Sequence, residues 1–115
     1  MANKPLIDET LLSGYIESLG KNIVEQMFGL YKEQSVIYIN EIAATLPDGS
    51  QQDWHERCHK FKGAASSVGL LQMHAYMVEI EHSQAPSDEK QAFVKEMLAL
   101  NEASIETFKK WLDTH

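Results

Sequence analysis

Apolar residues recur at intervals of three and four along almost the whole chain, and the alternation that marks a half-buried strand is nearly absent. A chain patterned this way can bury its apolar surface only by packing helices against one another. With 115 residues, 43% of them hydrophobic, there is material for one core and too little length for two. The expected product is a single all-α domain spanning residues 1–115.

Turn residues divide the pattern into five segments. Asp8 reads as the N-cap of a short helix that runs to about Leu19 and ends where Gly20 takes a left-handed backbone. A longer helix follows from about Asn22 to Leu46, with Val24, Phe28, Tyr31, Tyr38 and Ile42 along one stripe and Ile23, Met27, Leu30 and Ile37 beside it. Pro47, Asp48 and Gly49 stop it as a turn. The third helix, from Gln51 to about Val68, places Trp54, Cys58, Phe61, Ala65 and Val68 on its core face. Gly69 ends it, and a fourth from about Leu71 to Ser83 buries Met73, Met77 and Ile80 before Pro86, making an antiparallel hairpin. Ser87 reads as the N-cap of the last helix. There Phe93, Met97, Leu100, Ser104, Phe108 and Trp111 form a stripe flanked by Val94, Leu98, Ile105 and Leu112. Four long helices joined by short turns predict an up-and-down four-helix bundle, with the short additional N-terminal helix across one end.

Charge narrows the partners. The formal net charge is −7 and the acidic residues are spread along the chain, which disfavours nucleic acid and direct membrane contact. MANKPLIDET lacks the regions of a signal peptide, and no apolar run approaches the roughly 20 residues that span a bilayer. Cys58 is the single cysteine and can form no internal disulfide. The chain reads as cytoplasmic.

The polar residues of the third helix are the informative ones. One residue past the core stripe, about 100° further round the helix, come His55, His59, Lys62 and Ser66. His59 is therefore expected at the surface, with Lys62 one turn on. Gly63 costs a mid-helix position about 1 kcal/mol relative to alanine. Either another backbone approaches there or two helices of the bundle pack tightly around it. Ala64, Ala65, Ser66 and Ser67 extend the same low relief.

The run His59 to Leu70, HKFKGAASSVGL, resembles the signature of histidine-containing phosphotransfer (HPt) domains of multistep two-component phosphorelays. Asp8, Leu11, the break at Gly20 and the number and lengths of the helices extend the resemblance over essentially the whole chain. It implies that His59 accepts the phosphoryl group, that Lys62 is the nearby cation and that Gly63 leaves the gap a partner enters. It implies response-regulator receiver domains and a hybrid sensor histidine kinase as partners, with magnesium in the receiver and no cofactor in this chain. A monomer is expected. The docking surface is expected on the exposed faces of the third and fourth helices around His59. Gly63, His55, Ser66, Ser67 and Val78 would line it, with His74 nearby and Glu56 and Glu79 at the edge.

If the hairpin turns near Gly69 and Leu70, a residue about eleven beyond the turn lies level with one about ten before it. That brings Glu81 beside His59, where it would orient the second ring nitrogen. HPt domains often carry glutamine at this place and sometimes glutamate. The alternative for Glu81 is an ordinary solvated charge. A carboxylate beside the ring favours imidazolium, so Glu81→Gln is expected to preserve phosphotransfer and move its pH profile toward acid. Transfer rates measured across pH check this, and an unchanged profile removes Glu81 from the role.

Two other functions compete. His55 and His59, one turn apart, have the spacing of a helical metal pair, but Cys58 points toward the core and His74 and His82 show no convergent geometry. No metal site is expected. A helical adaptor that binds a signalling partner without chemistry is the broader rival. ATP-dependent kinase activity is not expected, because no glycine-rich nucleotide loop is present.

Overall fold

A computed structural model describes residues 4–46 and 49–115. It contains five helices, α1 (Glu9–Leu19), α2 (Lys21–Ala44), α3 (Gln51–Ser67), α4 (Leu71–Ile80) and α5 (Ser87–Asp113). Helices α2 to α5 form a closed ring in which each packs against the next and α5 returns to α2, and α1 packs on α2. This is the up-and-down four-helix bundle with an added N-terminal helix. The turn assigned to Pro47 and Asp48 lies outside the described residues.

The local signals act as their chemistry dictates. The Asp8 carboxylate accepts from the Leu11 amide at 3.1 Å and so caps α1. Gly20, with φ of 93°, separates α1 from α2 without a linker. Gly69, with φ of 73°, reverses the chain between α3 and α4. The segment before α1 adds a clasp absent from the helical pattern. The Asp8 amide donates to the Gly69 carbonyl at 2.8 Å and the Leu71 amide to the Leu6 carbonyl at 3.0 Å, pairing Ile7 with Leu70 across the α3–α4 turn. A Cβ on Gly69 would stand 3.4 Å from both the Asp8 and Leu11 side chains. Left-handed backbone costs a residue with a Cβ about 1–2 kcal/mol. Gly69→Ala should therefore lower stability by about that amount, read as a shifted urea midpoint with unchanged m.

Trp54, Cys58, Phe61 and Ala65 form the inward face of α3, and Met73, Met77 and Ile80 that of α4. Phe61 lies against Tyr31 and Tyr38 of α2, while Phe28 stacks on Phe108 of α5 with ring centroids 4.6 Å apart. The core stripe of α2 differs from the sequence expectation. Ser35 and Ile39 are buried, Tyr38 is only half-buried, and Ile23, Leu30 and Ile37 are exposed. Leu98 of α5 is also exposed, while Asn101 is buried. Ser35 and Asn101 can occupy this interior because their polar atoms find partners there. Tyr31 Oη donates to Asn101 Oδ1 at 2.6 Å, and Asn101 Nδ2 donates to Ser35 Oγ at 3.0 Å, tying α2 to α5. Burial raises the Tyr31 hydroxyl pKa well above its ordinary range, so it remains a donor.

The last turn before α5 also departs from expectation. Helix α4 stops at Ile80 rather than near Ser83. The Ile80 carbonyl accepts from Trp54 Nε1 at 2.9 Å and from the Ser83 amide at 3.0 Å, which diverts it from continuing the helix. Gln51 Nε2 donates to the Ser83 carbonyl at 2.7 Å, and Lys90 Nζ to Gln51 Oε1 at 2.8 Å. Residues 80–83 are thereby held over the start of α3. Ser87 is not a cap: Pro86 occupies that position, and the Ser87 hydroxyl donates to the Leu46 carbonyl at 2.6 Å.

Candidate functional site

Because Trp54, Cys58, Phe61 and Ala65 turn inward, α3 carries His59 on its outer face, with 64% of the side chain exposed. Its Nδ1 lies 3.1 Å from Glu81 Oε1. The other carboxylate oxygen, Oε2, accepts from Lys62 Nζ at 2.6 Å. Glu81 is thus shared between His59 and Lys62, and its side chain is only 4% exposed. That excludes an ordinary solvated helix charge. It also places Lys62, expected as the cation near the histidine, on the carboxylate.

Burial alone would push the Glu81 carboxyl up. The hydrogen bonds from Lys62 and His59, with the Lys62 charge, outweigh it and hold the group below the ordinary glutamate range. At neutral pH the carboxylate is therefore ionised and can only accept. Its partner Nδ1 must carry the proton, which leaves the lone pair of the neutral imidazole on Nε2. Nδ1 faces the buried carboxylate, and Nε2 is the nitrogen available for bond formation.

The surroundings are low. Gly63 is exposed, and a Cβ built there meets nothing within 4 Å. Tight helix packing within the bundle is thereby excluded as its reason. Ser66 and Ser67 are exposed on the following turn, where Ser67 Oγ donates to the carbonyl of Ala64 at 2.9 Å. Val78 is exposed on α4, three residues before Glu81 and on the same side of that helix. His74 lies beyond it, lining a shallow cleft with Asp8, Ser66 and Gly69. Glu56 and Glu79 are exposed.

The placement of His82 corrects the sequence expectation. His55 is half-buried, its Nδ1 3.4 Å from the Glu81 carbonyl oxygen and 3.8 Å from Oε1. The ring of His82 stacks on that of His55 with centroids 4.4 Å apart. His82 therefore does converge on the third helix, because the chain leaves α4 at Ile80 and folds back over α3. The one signal available in the sequence was its place directly after Glu81. Cys58 is buried, and burial, reinforced by the Glu81 charge, pushes its thiol pKa up to about 12, so it offers no thiolate.

The geometry has counterparts. The family model described as "Hpt domain" matches residues 26–107, a span that includes His59, Lys62 and Glu81. The aerobic respiration control sensor protein ArcB of Escherichia coli O157:H7 is 25% identical over 112 residues, covering 96% of this chain and 14% of that protein. ArcB of Escherichia coli K12 is 24% identical over the same share of each. The chain thus spans about one seventh of the length of these curated relatives. Among solved structures, the histidine-containing phosphotransfer domain of ArcB from Escherichia coli superposes with a TM-score of 0.82 at 24% identity, covering 95% of this chain and 94% of that one.

Proposed function

The chain belongs to the Hpt domain family, whose role is histidine phosphotransfer in a phosphorelay, and we propose that His59 carries the phosphoryl group between receiver-domain aspartates. One observation carries the assignment: His59 holds Nδ1 against a buried, ionised carboxylate at 3.1 Å and leaves Nε2 on an exposed ring.

In the transfer, Nε2 attacks the phosphorus of a receiver aspartyl phosphate in line with the bond to be broken. The N–P bond forms with the ring lone pair as the P–O bond cleaves, and that electron pair returns to the aspartate carboxylate. No proton has to leave. The ring then carries a phosphoryl group on Nε2 and a proton on Nδ1, a cationic pattern that Glu81 Oε1 balances. Attack by a second receiver's aspartate on the phosphorus reverses the sequence and restores the neutral imidazole. Lys62, anchored through Glu81 Oε2, supplies positive charge near the phosphoryl oxygens. Magnesium would be held by the receiver, and the reading asks for no cofactor in this chain.

Receiver domains would dock over His59 on the surface formed by Gly63, Ser66, Ser67, His55 and Val78. A hybrid sensor kinase would stand upstream, and this domain would act as a monomer in the cytoplasm through transient contacts. Among the described residues, no helix is long and apolar enough to cross a membrane.

The test is to mix the protein with receiver domains shown to be charged and follow the phosphoryl group by intact mass. A single acid-labile phosphoryl on the protein is expected; none from any charged receiver would shift the assignment to a non-catalytic adaptor. Gly63 supplies a second check. Alanine there should raise stability by about 1 kcal/mol, because its Cβ meets open space and its helix propensity is higher. Leucine should keep the fold and slow transfer from a receiver about tenfold or more, the order of a 1.4 kcal/mol clash in the transfer complex. Wild-type transfer kinetics for Gly63→Leu would remove Gly63 from the docking surface.

A further inference from the structure

One turn of α3 before His59, His55, Glu81 and His82 each present a potential ligand atom, and these atoms all lie within 4.8 Å of one another. We infer that these three side chains form a binding site for a divalent transition-metal cation of the Zn2+ class, sharing its carboxylate with the His59 site.

Glu81 is the fixed member of the set. Lys62 holds Oε2 at 2.6 Å, while Oε1 faces His55 Nδ1 at 3.8 Å. The two imidazoles are the adjustable members: His55 is partly exposed and His82 exposed, and their rings already stand together with centroids 4.4 Å apart. Tetrahedral coordination with bonds of about 2.0–2.1 Å sets donor atoms about 3.4 Å apart. The three donor atoms, within 4.8 Å of one another, have to close by at most about 1.4 Å to reach that spacing. The donor chemistry selects the ion. Two imidazole nitrogens and one carboxylate oxygen suit Zn2+, Cu2+ or Ni2+, whereas Mg2+ and Ca2+ favour oxygen cages. Three protein ligands leave a fourth position for water. Lys62 keeps a positive charge near the site, so modest affinity is expected rather than that of a closed structural site.

Occupancy has a consequence for His59. Oε1 is the oxygen that His59 Nδ1 uses, so a cation bound to Oε1 competes with the contact that orients the ring. The site itself does not rest on the phosphotransfer assignment.

The experiment is calorimetric titration of the intact protein with ZnCl2, alongside His82→Ala, His55→Ala and, as surface controls, His74→Ala and His115→Ala. One saturable site per chain is expected, weakened at least tenfold by His82→Ala and by His55→Ala and unchanged in the controls. Far-UV circular dichroism of each variant guards against misfolding. Absence of saturable binding up to millimolar Zn2+, or binding that survives the His55→Ala/His82→Ala double change, overturns the site. Because binding is read on the protein alone, failure of receiver-to-histidine transfer leaves this result standing on its own. In the transfer assay, Zn2+ should inhibit the wild type more than His82→Ala, and equal inhibition overturns the coupling to His59.

Discussion

His59→Gln should abolish the acid-labile phosphoryl group while leaving the protein folded and able to bind its receiver. A glutamine amide has no nitrogen lone pair available for attack, because that pair is delocalised into the carbonyl. Its NH2 can still donate to Glu81 Oε1, so the buried carboxylate keeps both of its partners. The side chain being replaced is 64% exposed, and substitutions at such positions away from the core shift stability within about 0.5 kcal/mol. Three measurements separate the outcomes: intact mass after incubation with a charged receiver, receiver affinity, and signalling output in cells. Lost phosphorylation and lost output with retained affinity support the relay. Retained output from His59→Gln would instead identify an adaptor, whose action needs the surface but not the imidazole.

Trp54→Ala is expected to cost about 3–5 kcal/mol, against a total stability of about 5–15 kcal/mol for a domain of this kind. Trp54 is 1% exposed, packs near Phe93 and lies beneath Lys90 Nζ, which is 5.0 Å from its ring centroid. Its Nε1 also donates to the Ile80 carbonyl, the residue immediately before Glu81. The substitution therefore opens a cavity and releases the segment that delivers the carboxylate to His59. Urea denaturation followed by circular dichroism should show a much lower midpoint, and the folded fraction should transfer phosphate more slowly per molecule. Trp54→Phe separates the two losses. It keeps most of the packing, removes the hydrogen bond and should cost about 1–3 kcal/mol. A Trp54→Ala protein within about 1 kcal/mol of wild type would mean that Trp54 does not hold α4 to α3.

Much of the candidate site was legible because it sits on one helix. Spacing on α3 puts His59, Lys62 and Gly63 outside once Trp54, Cys58 and Phe61 are inside, and the hairpin length brings Glu81 level with His59. The sharing of one carboxylate by His59 and Lys62 was not legible. It depends on a side chain from another element being buried between them, which no periodicity on α3 reports. His82 was misplaced for a related reason. Treated as a continuation of α4 it has no convergent partner, and only the early stop at Ile80 turns it onto His55.

The sequence by itself determined the elements and their order. Three- and four-residue spacing, the Asp8 cap, and the glycines at 20 and 69 act through bonds and torsions within a few residues, so they can be read without knowing what lies across the bundle. The tertiary structure decided which borderline residues are inside and where α4 ends. Ser35 and Asn101 are buried because Tyr31, the Lys32 carbonyl and each other satisfy their polar atoms, while Leu30 stays 60% exposed. The Trp54 indole and the Ser83 amide take the Ile80 carbonyl away from further helix, while the Glu81 amide still donates to the Met77 carbonyl and so keeps Glu81 at the helical position level with His59. Each of these outcomes depends on a partner distant in sequence, whose contribution exists only once the helices have packed.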